Sequence, residues 1–222
     1  MNNSAALEVE QEKEFTLKNW HLFVFVTCIY LIIVLVNDKF IMTREAYQLL
    51  LTDKMEIYRI DDYYEMLKRF SIYTYSALPV ITWLKIIFIA LLLQTPLMLK
   101  NVEVSFKECF RIAAFANIPY LLLGFVKILI LLFTDQSKYT NDLITYVPGS
   151  ITNLISKEAY SPAAFSFLSS INIYEVFWVL IVFLGIAKLK KINKLDSFII
   201  AFSIWLGLTL FQIGLVIYFN KA

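Results

Sequence analysis

Lys85 and Lys127 each interrupt an apolar run, and Glu175 stands near the start of another. An ionisable group costs about 2.5 to 3.5 kcal/mol at mid-membrane unless it is paired, hydrated or able to snorkel. The three residues therefore have two options. They can meet in a buried polar cluster suited to an anionic headgroup, a partner's carboxylate or a substrate. Alternatively, each lysine reaches the interface independently along its aliphatic stem. Asn117 and Gln212 are further polar groups inside apolar runs, each able to tie its helix to a neighbour. Ser203, Gly207 and Gly214 recur at intervals of four and seven, and Ala113, Ala116 and Gly124 at intervals of three and eight. Such small-residue stripes let helices approach closely. The expectation is an internal seam of the bundle, with the Ser203, Gly207, Gly214 and Gln212 set alternatively serving as a partner face.

Other chemistry is sparse. His21 is the single histidine, and beside Trp20 at a membrane boundary it is expected as an interface anchor. Asp61, Asp62 and Glu65 are carboxylates at helical spacing, interleaved with Tyr63 and Tyr64, and could be taken for an outward cation site. A cation site needs about six oxygen ligands, so this set is expected to be a helix start with a solvated acidic face. Cys28 and Cys109 make no C-x-x-C pair, and no Walker A, H-E-x-x-H or G-x-S-x-G motif occurs. The expectation is a non-enzymatic chain with no catalytic residue, no metal and no cofactor.

The elements that must position these residues are membrane helices. Of 222 residues, 59% are hydrophobic and 17% charged, against about 45 to 50% and 25% in soluble domains. The formal charge of +2 argues against affinity for nucleic acid built on phosphate neutralisation. A spanning helix needs about 20 mostly apolar residues. Five runs qualify, at 20–36, 77–99, 112–133, 172–189 and 197–219. The fold class is thus all-α, a polytopic bundle of five transmembrane helices with amphipathic surface helices. Residues 1–19 are a short tail whose acidic charge is wrong for a signal peptide. Residues 20–222 form one transmembrane domain, with 37–76 as a charged amphipathic insertion between the first two spans. Within it Asp62 and Glu65 have capping-box spacing, predicting a membrane-hugging helix from about Asp62 to Ser76 and a bend at Pro79. Ser105 and Glu108 make a second box, and Ser161-Pro162 a helix start. The stretch 134–161 is expected to be mostly loop.

Lys100, Lys107 and Arg111 follow the second span, and Lys188, Lys190, Lys191 and Lys194 follow the fourth. Both connections belong inside, which puts the N-terminus in the cytoplasm and the C-terminus outside. Ala77 lies eight residues before Lys85, and Phe133 six after Lys127. Both lysines are then expected roughly 9 to 12 Å below the outer boundary, level with Glu175.

The second half runs SFKECFRIAAFANIPYLLLGFVKILILLF, then a polar stretch, then FSFLSSINIYEVFWVLIVFLGIAKLKKINKLDSFIIAFSIWLGL. A surface helix, a Pro-containing third span, an Ile-Tyr-x-x-Phe-Trp entry to the fourth and a basic turn to the fifth resemble the Ypt-interacting protein (YIP) family of five-pass membrane proteins. Lysine outnumbers arginine 16 to 4, in keeping with the family's bacterial branch. That resemblance implies a non-enzymatic protein of the bacterial cytoplasmic membrane, accessory to a larger transport or secretion-related assembly. Its expected partners are membrane lipids and another integral membrane protein, with no nucleic acid. The alternative is a small transporter or lipid-handling protein working through Lys85, Lys127 and Glu175.

Overall fold

A computed structural model describes residues 3–155 and 159–221, with side chains over 19–155 and 159–219. The chain is helical throughout its apolar runs. Helix α1 (Asn3–Val36) ends in a π-helical turn at Asn37–Ile41, and α2 (Arg44–Leu51) is capped by Thr43. A long α3 (Ile57–Leu99) follows, then α4 (Phe106–Phe115) and α5 (Ile118–Phe133), separated by a break at Ala116 and Asn117. Short α6 (Asn141–Thr145) and α7 (Pro162–Ser170) lead to α8 (Ile173–Lys188) and α9 (Lys194–Lys221).

Among the described residues, four helical segments are long and apolar enough to cross a membrane: Asn19–Ile41, Ile57–Leu99, Phe106–Phe133 and Lys194–Phe219. Helix α8 has 16 residues, so it rises about 24 Å against a hydrocarbon core of about 30 Å. Asn172 caps it by accepting from the backbone N–H groups of Tyr174 and Glu175, both at 3.0 Å. The loop before it presses on this start. Ile173 N–H donates to the Gly149 carbonyl at 3.2 Å, and Ile151 N–H to that of Ile171 at 3.2 Å. Gly149 has φ +73°, and a Cβ there would lie 2.8 Å from Ile173 Cγ2.

The capping box at Ser105 and Glu108 forms, with both reciprocal bonds present, and Ser161 caps α7 with Pro162 in its first turn. Three local expectations fail. The α3 helix starts at Ile57, so Asp62 is inside it rather than capping it; Asp61 instead accepts from Arg44 Nε at 2.8 Å and Gln48 Nε2 at 2.9 Å, tying α2 to α3. The Asp61 carboxylate also holds the Arg44 guanidinium above its ordinary pKa, through their hydrogen bond. The helix also continues unbroken through Pro79. At 1.5 Å per residue its 43 residues measure about 65 Å, twice the hydrocarbon core, so the charged stretch before Val80 extends beyond the core. Finally, 134–161 is not mostly loop but carries α6 and two 3₁₀ turns among its described residues.

The bundle packs α1 against α3, α4 and α5, α4 against α3 and α8, and α9 against α3, α7 and α8. Its core joins Ile86, Ala90 and Leu93 of α3 to Cys109, Ala113 and Ala114 of α4 and Trp178, Val182 and Ile186 of α8. Small residues set the closest approaches, and they are not all the expected ones. Ala113 and Ala116 are fully buried, and Gly124 faces Ile33, so the third-span stripe is an internal seam. The fifth-span stripe is not: Ser203, Gly207, Gln212 and Gly214 are all exposed, and a Cβ added at Gly207 or Gly214 meets nothing within 4 Å. The other tight glycine is Gly185, whose Cβ would fall 2.8 Å from Ile112 Cγ2 and 2.9 Å from Cγ1. Gly185→Ala is therefore expected to lose about 1 to 3 kcal/mol from overpacking. Gly207→Ala should be neutral. Thermal unfolding of the two variants in one detergent checks the pair.

Candidate functional site

Glu175 lies in the first turn of α8, where the helix N-terminus favours negative charge. Tyr120 is its direct partner, donating from its hydroxyl to both carboxylate oxygens at 3.1 Å. Tyr120 is there because the chain breaks at Ala116 and Asn117 and restarts as α5, with Pro119 in the new first turn. Lys85 of α3 sets its amine over the face of the same ring, 4.4 Å from the centroid, with the Tyr30 ring of α1 at 5.8 Å on another side. The Trp205 indole N–H of α9, buried and without a hydrogen-bond partner, is the next donor beside the carboxylate.

Five helices thus contribute one side chain each. Lys85 and Glu175 feel each other's charge without touching: among the described residues no direct ion pair joins them, and Tyr120 contacts both. Two further buried acceptors lie a turn away along the same helices. Asn117 Oδ1 and Thr27 Oγ1 have no partner, although Asn117 Nδ2 donates to the Ala113 carbonyl at 2.9 Å. The Lys85 side chain itself is exposed on the flank of the chain, so the site opens sideways.

Lys127 is not part of this group. Among the described residues it makes no hydrogen bond, ion pair or ring contact, and it sits seven residues beyond Tyr120 on the same face of α5. Depth explains the separation. Lys85 is fourteen residues from Leu99, Tyr120 fourteen from Phe106 and Glu175 thirteen from Lys188, so all three stand about 20 Å from those helix ends. Lys127 is twenty-one residues from Phe106, about 31 Å along, two helical turns beyond the level of Tyr120.

Tyr120, Tyr30 and Trp205 are the residues that sequence reasoning missed. Tyr120 carried a usable signal: it falls seven residues before Lys127 and three after a polar Asn inside an apolar run. Nothing in the pattern singles out Trp205. His21 is exposed beside the exposed Trp20, and Cys28 and Cys109 are both free thiols. Among the described residues no three His, Cys, Asp or Glu side chains gather as a metal-binding group.

The arrangement of apolar helices agrees with the comparison to protein families, in which the Yip1 domain matches residues 6–216. The chain belongs to the Yip1 domain family. No curated protein and no solved structure matches it. The match takes in all five helices that build the polar site, so the site lies inside the Yip1 domain rather than on an appended segment. This is an integral membrane protein of that family.

If Tyr120 is what satisfies Glu175, removing its hydroxyl strands a carboxylate. Tyr120→Phe should lower the stability of the Yip1 domain by about 1 to 3 kcal/mol. Lys127→Met, which breaks no contact, should change it by less than about 0.5 kcal/mol. Unfolding in detergent measures both, and an equal loss in the two variants would return Lys127 to the site.

Proposed function

We propose that the protein is a non-enzymatic accessory or scaffold subunit of a larger transport or secretion-related complex in the bacterial cytoplasmic membrane. It crosses five times, with α8 and the α7 segment together making the fourth passage. The N-terminus is cytoplasmic and the C-terminus outside, with the lysine-rich turns at Lys100 and Lys190 inside.

The observation that carries the reading is the outer part of α3. Beyond the hydrocarbon core, Tyr63, Met66, Phe70 and Tyr73 follow one another at spacings of three and four, the pattern of a helix seam, and all are exposed. Phe70 is 57% and Tyr73 68% accessible. Asp62, Glu65 and Arg69 border them and share a shallow depression with Met66, Phe70 and Tyr73. An apolar stripe with a charged border, held away from the lipid, is the form of a protein contact. Its partner is a membrane protein presenting an apolar helix or groove of its own outside the bilayer.

A second reading has one specific observation behind it. A short helix that starts within the membrane, with a carboxylate in its first turn and a lysine opposite, is the arrangement by which transporters place a binding site near the midplane. On that reading Lys85→Met abolishes transport or lipid movement in reconstituted vesicles. Lys127→Met, outside the group, leaves it unchanged.

Purification from native membranes in mild detergent should recover a stoichiometric membrane partner, and Phe70→Asp with Tyr73→Asp should release it while the bundle stays folded. Recovery of an isolated monomer from the unaltered chain would sink the scaffold reading. For orientation, a cysteine introduced by Lys190→Cys should be shielded from an impermeant reagent outside and one introduced by Lys138→Cys should be labelled. The reverse pattern would invert the topology.

A further inference from the structure

Two cavities meet at Lys100. Above it a furrow of about 680 Å³ runs between α3 and α9, floored by Gly207 and walled by Phe88, Leu92, Pro96, Leu208 and Phe211. Beside it a polar cleft of about 780 Å³ opens between the turn after α3 and the turn before α9, lined by Lys100, Asn101, Glu103, Lys191, Asn193 and Asp196. We propose that the furrow and the cleft together bind one anionic glycerophospholipid, with an acyl chain in the furrow and the phosphate in the cleft.

Three observations converge on that occupant. The first is length. From Lys100 to Phe88 the furrow spans twelve residues, about 18 Å, close to the depth of a single leaflet in a core of about 30 Å. A transmembrane helix would need the whole thickness; an acyl chain needs one leaflet. The second is charge. The two turns and adjoining helix ends, 100–111 and 188–196, carry seven basic side chains against three acidic ones, an excess of four. A basic pocket between helices on the cytoplasmic side is where anionic headgroups bind. The third is rigidity. Asn101 and Lys190 both adopt φ +56°, making each turn tight. Across the cleft Lys100 pairs with Asp196 at 2.5 Å, and Lys191 Nζ donates to the Glu103 carbonyl at 2.6 Å while lying 3.6 Å from Glu108. The cleft is therefore held open and shaped by the chain itself.

The furrow also gives the fifth-span small residues a role. Ser203 is exposed along the furrow and a Cβ at Gly207 would meet nothing within 4 Å, so together they leave room for a chain of methylenes.

The full chain, purified in mild detergent, is incubated with phosphatidylglycerol or phosphatidylethanolamine of identical acyl chains, and retained lipid is read by native mass spectrometry. Phosphatidylglycerol should be retained several-fold better. Gly207→Leu, whose Cβ meets nothing within 4 Å and whose side chain then occupies the furrow, should reduce retention of both lipids at least fivefold at unchanged lipid-free melting temperature, and Ser203→Leu serves the same purpose should that variant fail to fold. Lys191→Gln should bring phosphatidylglycerol down to the phosphatidylethanolamine level and leave the latter alone. Equal retention of the two lipids by the unaltered chain overturns the proposal. So does full retention in the filled variant, or loss of a bound protein in place of lipid. The α3 stripe beyond the core is untouched by these variants, so failure here is separable from failure of the scaffold reading.

Discussion

A carboxylate in hydrocarbon has to be answered by donors and positive charge from the protein, and this bundle is arranged around doing so for Glu175. It lies in the first turn of α8, where the helix N-terminus favours negative charge. Asn172 takes two of the first-turn backbone N–H groups, and the Gly149 turn presses that start into place. The break at Ala116 and Asn117 brings Tyr120 to the carboxylate, and the Tyr120 ring in turn seats the Lys85 amine. Ring contact is a suitable way to hold an ammonium here, since cation–π attraction strengthens as water is excluded. A direct Lys85 to Glu175 pair would desolvate both ions fully. Interposing a phenol lets each keep a partner while Lys85 stays at the opening.

Length is the second constraint. Helix α3 is twice as long as the core requires and α8 is shorter than it requires. The surplus in α3 carries charged residues beyond the lipid, and α2 and the π-helical turn brace it there: Arg44 of α2 pairs with Asp61, while Asp38 of the turn pairs with Lys68 at 3.0 Å and accepts from Tyr75. The ring of Tyr47 packs on those of Tyr63 and Tyr64. That bracing covers one side of the helix and leaves the Met66, Phe70 and Tyr73 side bare. Ahead of α8, α7 packs on α9 and hands the chain over through Ile171 and Asn172.

Much of this was legible in the residues, for identifiable reasons. Caps are local, so Ser105 with Glu108 and Ser161 with Pro162 could be read from four residues or fewer. Apolar runs locate spans because hydrocarbon tolerates little else, although they do not say whether 16 residues suffice. Asp62 and Glu65 had the right spacing for a cap but lay inside a helix that had already begun, because the tie from Arg44 and Gln48 to Asp61 favours an earlier start. Pro79 failed as a bend marker for a related reason: proline removes one hydrogen bond without dictating that the helix stop. Rotation about each axis was the missing quantity for the small-residue stripes. Ala113 and Gly207 sit in equally good patterns, and only the position of α4 between α1, α3 and α8, against α9 at the edge, makes one a seam and the other a surface.

The two intramembrane lysines show how much depth alone decides. They are the same residue type in equally apolar surroundings, and α3 and α5 run in opposite directions past one another. Fourteen residues from Leu99 puts Lys85 beside the Tyr30 and Tyr120 rings, which hold its charge together with the field of Glu175. Twenty-one residues from Phe106 puts Lys127 two turns beyond Tyr120, where its stem can lie along α5. An ammonium at that level needs no protein partner, and none is present among the described residues. The difference of seven residues, two helical turns, converts a requirement for partners into freedom from them. Moving the lysine inward by two turns, by Lys127→Leu with Tyr120→Lys, would reverse that relation: the new amine would face Glu175 and Lys85 together, and the bundle would hold two ammonium groups beside one carboxylate.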